Sequence, residues 1–178
     1  MPPTETRTGD SRRDPVVLIA IAAALLLLRI GVTVWEGRHP LEAVDQVRWV
    51  EPARAEALSR VTGKPILYDF SAEWCGPCAS MAREVFANEH GARALNDNVI
   101  PVHVVDRQRE DGRNPPAVDS LQRAFGVDAF PTLVLYSPGT GRRVVSSGYP
   151  GADGTVNWIR RSLVDLKMNS LLPPAGRP

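Results

Sequence analysis

The chain has 178 residues, enough for one domain of ordinary size plus an appendage. Hydrophobic residues make up 43% and charged ones 23%, close to a soluble globular average, which excludes a disordered or fibrous chain. Twenty-one Lys and Arg against twenty Asp and Glu leave a formal charge of +1, so the basic footprint of a nucleic-acid binder is missing. The two cysteines allow neither a disulfide-rich scaffold nor a four-cysteine metal site.

Residues 1–15 are polar and without periodicity, and read as a flexible tail. Residues 16–35, VVLIAIAAALLLLRIGVTVW, carry one charge, Arg29. As a helix rising about 1.5 Å per residue, this run spans roughly the 30 Å of a bilayer's hydrocarbon core. A cleaved signal peptide would need a small-x-small site, and Gly31–Arg38 offers none that convinces. A buried soluble helix would be unusually apolar on every face. A single transmembrane anchor is the favoured reading, with the Arg29 stem reaching toward one interface. Arg7, Arg12 and Arg13 before the run outnumber Arg38 and Arg48 after it. That mildly places the N-terminus in the cytoplasm and the larger part of the chain outside it. Ser11-Arg12-Arg13 also resembles a twin-arginine export signal, but Asp14-Pro15 fits that poorly.

Residues 36–47 read as a linker and 48–168 as an α/β domain. Val50, Arg54, Ala57, Leu58 and Val61 recur at helical spacing, and Gly63-Lys64-Pro65 ends that helix. Ile66–Phe70 suits a buried strand. The run from Cys75 to about Phe86 reads as a helix with Pro77 in its first turn, where proline is tolerated. Val99–Val105 is a second strand, and Arg107–Pro116 a solvated loop. Val118, Leu121, Ala124 and Phe125 mark a further helix. Thr132–Tyr136 and Arg142–Ser146 flank Pro138-Gly139-Thr140-Gly141, a hairpin signal. Val156, Ile159, Leu163 and Leu166 share one face of a closing helix with Asp153 near its N-cap. Residues 169–178 read as a second flexible tail.

The distinctive chemistry lies in Trp74-Cys75-Gly76-Pro77-Cys78. At a strand-to-helix junction the first cysteine meets unpaired backbone N–H groups and the positive end of the helix dipole, which favour its thiolate. The second, one turn on, is within reach of a disulfide with it. A thiolate attacks a substrate disulfide, a mixed disulfide forms, and the neighbouring thiol resolves it. Cys75 is thus the expected nucleophile and Cys78 the resolving residue. Half a zinc site has the same spacing, but His39, His90 and His103 are scattered and a second cysteine pair is missing. An inert structural disulfide is disfavoured because so short a loop constrains the unfolded chain little. The reading requires no metal and no cofactor.

Asp69-Phe70-Ser71-Ala72-Glu73-Trp74-Cys75-Gly76-Pro77-Cys78 resembles the active-site segment of the thioredoxin family, and Phe130-Pro131-Thr132 resembles its cis-proline loop. The likeness runs from Trp49 to Leu166. Gly63-Lys64-Pro65 and the Met81, Val85, Phe86 pattern also resemble thioredoxin-like domains of envelope disulfide reductases. The resemblance implies a thioredoxin fold, a central mixed sheet flanked by helices. It implies a Cys75–Cys78 redox disulfide and a cis Pro131 facing the cysteines. Phe130 would offer its backbone to an extended client segment, a form of strand addition. Trp74, Gly76, Pro77, Gly148 and Tyr149 would form the apolar rim on which the client packs, with simple packing the lesser alternative for Trp74 and Tyr149.

Asp69 is a carboxylate within an apolar run. Burial would raise its pKa and suit it to take the proton of Cys78 during resolution; the competing reading is a strand residue that faces solvent. Three positions depart from the family pattern. Ser71 stands for a tryptophan, Ala79 for a lysine, and Val102 where a lysine usually accompanies the buried aspartate. The region between Asp106 and Pro131 is longer than in the family pattern by about ten residues.

The sequence therefore reads as a membrane-anchored oxidoreductase that reduces protein disulfides. Residues 16–35 would cross the bacterial cytoplasmic membrane once, with the domain on the outer face. An unidentified partner would donate electrons, and nucleic acid is not expected as a partner. A disulfide oxidase or isomerase and a membrane-tethered binding module are the alternatives.

Overall fold

Strand β1 (Ile66–Ala72) is buried at every one of its seven positions, as a strand covered on both faces must be. In the computed structural model it lies inside a four-stranded sheet with β2 (Ile100–Asp106), β3 (Thr132–Ser137) and β4 (Arg142–Ser147), in the order β2-β1-β3-β4. β1 runs parallel to β2, with Asp69 beside His103, and antiparallel to β3; β3 and β4 form an antiparallel hairpin. The structure describes residues 15–38 and 44–170. The expected tails at 1–14 and 171–178, and the part of the linker at 39–43, lie outside the described residues.

The chain divides into two units, Met1–Glu42 and Ala43–Pro178. In the first, helix α1 (Pro15–Arg38) is continuous over 24 residues, and its described side chains, at 17–32, are all exposed. Among the described residues no helix is long and apolar enough to cross a membrane.

In the second unit the sheet's two faces carry separate cores. Alternation along β1 sends Leu67 to one side, where it joins Leu133, Leu135, Met81, Val85, Phe86, Leu95, Val156 and Ile159. Ile66, Tyr68 and Phe70 point to the other side, with Val102, Val104, Val134 and Ala55. The first side is covered by α3 (Gly76–Met81), the π-helical turn Ala82–Phe86, α4 (Glu89–Asn98) and α7 (Ala152–Ser170). The second is covered by α2 (Pro52–Thr62) and α6 (Pro116–Phe125). The expected central mixed sheet flanked by helices is present.

Most expected elements form within a residue or two of their expected ends, and the differences have local causes. α2 buries Ala55 and Ser59, while Val61, expected on the inner face, is 85% exposed. The Ser59 hydroxyl satisfies itself by donating to the Lys64 carbonyl at 2.7 Å, so a small polar residue serves as core where a valine was expected. α4 had no counterpart in the sequence reading, because its inner face is only Gly91, Ala92 and Leu95. Asn88 caps it, its side-chain oxygen accepting from the N–H groups of His90 and Gly91. Gly91 sits so close to the π-helical turn that a Cβ there would overlap the Val85 carbonyl.

The stretch 107–116 is not simply a solvated loop. It holds a one-turn helix, α5 (Gln108–Asp111), and Asn114 is buried because it donates to the Asp106 carboxylate at 2.7 Å. At the other boundary, Val47 is 7% exposed and part of the first core, and the Gln46 and Val50 N–H groups donate to Phe86 and Pro101 carbonyls. The end of the expected linker is therefore packed onto the domain. α7 presents Val156, Ile159 and Leu166 inward as expected, with Leu163 half-buried.

Candidate active site

β1 ends at Ala72 and delivers the chain to Cys75, the N-cap of α3. The Cys75 N–H donates to the Ala72 carbonyl at 3.1 Å, and its own carbonyl accepts from Ala79. Pro77 sits in the first turn, where its missing N–H would have had no helical partner. The Cys75 sulfur accepts the Cys78 N–H at 3.1 Å. A backbone amide of the first helical turn thus points at this sulfur, an arrangement that favours an anion there. Cys75 and Cys78 are joined, S–S 2.07 Å and Cα–Cα 5.2 Å, and both are almost wholly buried, while Gly76 and Pro77 between them are exposed.

The Phe130–Pro131 peptide bond is cis, as the resemblance implies. Phe130 packs against Ala72, Cys75 and Cys78, which brings the loop before β3 to the disulfide. The Pro131 carbonyl accepts the Gly148 N–H at 2.8 Å. Gly148 adopts φ +84°, a conformation glycine accepts without strain, so the cis-proline loop and the expected rim residue Gly148 are tied together. Trp74 is half exposed and meets Phe130 edge-on, ring centroids 6.0 Å apart. The Tyr149 hydroxyl donates to Glu84 at 2.6 Å and its half-buried ring packs on the first core, the packing that was the alternative to a rim role. Burial, and then the Glu84 carboxylate, hold its phenol well above the ordinary range.

Asp69 is 1% exposed, which removes the solvent-facing alternative. Burial, helped by the nearby Asp45 charge, pushes its carboxyl up to about 7. Its Oδ1 has no hydrogen-bond partner. Asp69, Cys75 and Cys78 open onto one cleft of about 620 Å³, together with Ser71, His103 and Arg107.

Val102, expected to stand where the family has its companion lysine, points to the opposite face of the sheet among Ile66, Tyr68 and Phe70. The parallel register places His103 beside Asp69 instead, with Nε2 3.5 Å from Oδ2. The Ser71 hydroxyl is 2.6 Å from the same nitrogen, and Trp49 stacks on the ring at 5.1 Å. Sequence reasoning left His103 among the scattered histidines; strand alternation puts it on one of two faces, but only the register says which residue lies opposite.

The stretch after β2 also reaches the site. Arg107 pairs with Glu73 and Asp111, and the Arg109 guanidinium lies 5.4 Å over the Trp74 ring. Neither arginine was singled out from sequence. Two charged residues just beyond a strand end are the signal that could have marked them. Among the described residues, no cluster of three or more His, Cys, Asp and Glu could hold a metal ion.

Residues 53–161 match the family described as a thioredoxin-like domain. The chain is 31% identical to a thioredoxin of Streptomyces clavuligerus over 90 residues, 50% of this chain and 71% of that one. It is 27% identical over 168 residues to the thiol:disulfide interchange protein DsbD of Ralstonia nicotianae, covering 83% of this chain and 26% of that protein. It is 31% identical over 99 residues to the protein disulfide-isomerase A2 of Pongo abelii, 54% of this chain. The chain spans only 17% of that isomerase's length. Among solved structures, the DsbH oxidoreductase superposes with a TM-score of 0.58 at 21% identity over 66% of this chain and 85% of its own. A Thermus thermophilus thioredoxin does so at 0.54 and 22% identity, over 67% and 89%. The fold, the cis-proline loop and the paired cysteines agree with this match over most of the second unit: the chain belongs to the thioredoxin-like family.

Proposed function

We propose that the protein is a thiol–disulfide oxidoreductase that reduces protein disulfides, with Cys75 as nucleophile and Cys78 as resolving thiol. The observation that carries this is the Cys75 sulfur at the N-cap of α3, accepting the Cys78 N–H, with Cys78 close enough to bond it. In the reduced protein the Cys75 thiolate attacks one sulfur of a client disulfide and the other client sulfur leaves. Asp69 then takes the Cys78 proton, the Cys78 thiolate bonds to Cys75, and the client is released reduced. The exposed Gly76-Pro77 edge, Trp74 and the Phe130–Pro131 backbone are the surface on which an extended client segment docks.

The reducing direction is supported by the Gly76-Pro77 pair, which resembles that of reducing family members. Insulin reduction by the full chain, beside Cys75→Ala, tests the chemistry. Activity that survives the substitution does not come from Cys75 and defeats the enzyme reading, and client binding without reduction by the unsubstituted chain leaves a client-binding module. Equilibration of the Cys75–Cys78 pair with glutathione buffers tests the direction, a strongly oxidising potential favouring an oxidase or isomerase.

Helix α1 is the membrane anchor in this reading, with the catalytic unit on the outer face of a bacterial cytoplasmic membrane. Its support is the apolar run 16–35, which extends beyond the described side chains at both ends, and the excess of arginine before it. A reductase there depends on a membrane partner for electrons. Membrane fractionation with protease protection of the second unit checks both anchor and orientation.

A further inference from the structure

A base held almost wholly out of solvent has to lose the proton it gains. Asp69 is 1% exposed, yet every resolution step that uses it leaves it protonated. A titratable side chain that reaches from it to solvent is His103. Its Nε2 lies 3.5 Å from the Asp69 Oδ2, and 39% of the His103 side chain is exposed. The Ser71 hydroxyl, 2.6 Å from Nε2, donates to that nitrogen when it is bare and accepts from it when it is protonated, so the ring is held in both states. Trp49 stacks on the ring at 5.1 Å and is fixed in turn by its indole N–H donating to Asp45.

We propose that His103, held by Ser71 and Trp49, is the route by which Asp69 exchanges protons with solvent. The inference rests on the reading of Asp69 as the base for Cys78. In resolution, the Cys78 S–H proton goes to the Asp69 carboxylate. The sulfur electron pair forms the bond to Cys75, the Cys75–client S–S bond breaks, and its pair leaves on the client sulfur, which takes a proton from water. The Asp69 O–H proton then passes to His103 Nε2 and from the imidazolium to water, so the proton count closes and no other reactant is required. His103 acts through Asp69 and does not touch a reacting sulfur.

Electrostatics suit a transient carrier. Burial holds the imidazole below its ordinary pKa, opposed by the Asp45 carboxylate, so His103 is neutral and ready to accept at neutral pH. The other charged groups on this cleft are Glu73 and Arg107, and these two are paired with each other. The role is distinct from packing because it has a pH signature: below about pH 7 Asp69 must unload before it can accept from Cys78, and above about pH 8 it is already ionised.

The test is the reaction of the reduced full chain with the disulfide of thionitrobenzoate, in which the second release of chromophore reports resolution by Cys78. His103→Ala should resolve on the order of tenfold more slowly than the unsubstituted protein near pH 6 and at the same rate near pH 8.5. Added imidazole should restore the loss. His103→Gln, which keeps a polar group for Ser71 but carries no proton, should give the same profile and serves if the alanine variant folds poorly. A loss of equal size at every pH, no loss, or a loss that imidazole leaves unchanged overturns the proposal while leaving Asp69 as base. Asp69→Asn at the unsubstituted rate near pH 8.5 removes Asp69 from the mechanism and the exit with it.

Discussion

Asn114 and Asp106 are joined across the extra stretch that follows β2, the amide donating to the carboxylate at 2.7 Å. Gln122 from α6 donates to the same carboxylate at 2.8 Å, and the Gln108 N–H at 3.1 Å. Burial alone would raise this carboxyl, but together the bonds from Gln122, Asn114 and Gln108 outweigh it and hold it below its ordinary value. The stretch that carries Arg107 and Arg109 to the cysteines is thus fastened to the end of the sheet and to a helix.

Asn114→Ala should therefore destabilise the fold by about 1–3 kcal/mol, the cost of leaving a buried carboxylate short of a donor. Because the folded-state pKa is depressed, the stabilisation is present above the unfolded value near 4 and fades as pH falls through the lower folded value. Urea midpoints of the variant and the unsubstituted protein should converge in acid.

For Asp69 the sign is reversed. Its folded pKa, about 7, lies above the unfolded value near 4, so the folded state binds the extra proton between them and stability falls as pH rises from about 4 to 7. Asp69→Asn should raise the thermal midpoint at pH 8, by an amount corresponding to roughly 1–4 kcal/mol, and the gain should vanish near pH 4. A gain that is the same at both pH values would mean that the carboxyl titrates normally.

Gly91→Ala should destabilise by about 1–3 kcal/mol, since a methyl group there meets the Val85 carbonyl, which is backbone and cannot turn away. Gly112→Ala is the control for glycine loss in general. It has a positive φ but open space around it, and should cost less, about 1 kcal/mol. Denaturant melts of the two variants decide the order.

Cys78→Ser should leave the attack by Cys75 intact and remove its resolution. Client proteins should then accumulate as mixed disulfides visible on non-reducing gels and released by dithiothreitol. Cys75→Ser should trap none. Equal trapping by both variants would reverse the assignment of nucleophile and resolving residue.

Chain-local physics made the scaffold readable. The apolar run at Ile66–Phe70, the stop at Gly63-Lys64-Pro65 and the turn at Pro138–Gly141 each carry their signal within a few residues. The Cys75–Cys78 spacing with Pro77 in the first turn likewise states its geometry locally. Where reading failed, the information was elsewhere in the chain. α4 has too few apolar residues to show a period and depends on the Asn88 cap and the contact of Gly91 with Val85. Val61 looked like core and is exposed, because Ser59 finds its partner in Lys64 and takes the inner face.

The same division holds at the site. That a thiolate is favoured at Cys75 follows from where a helix begins, and helix starts are written in the local sequence. That His103 and not Val102 stands beside Asp69 follows from the register between two strands 34 positions apart, and no local pattern sets register between distant strands. Arg109 over Trp74 needs the Asp106–Asn114 tie as well. Motif and helix start are properties of neighbouring residues; the surroundings that tune a carboxylate are assembled from segments that meet only when the sheet closes.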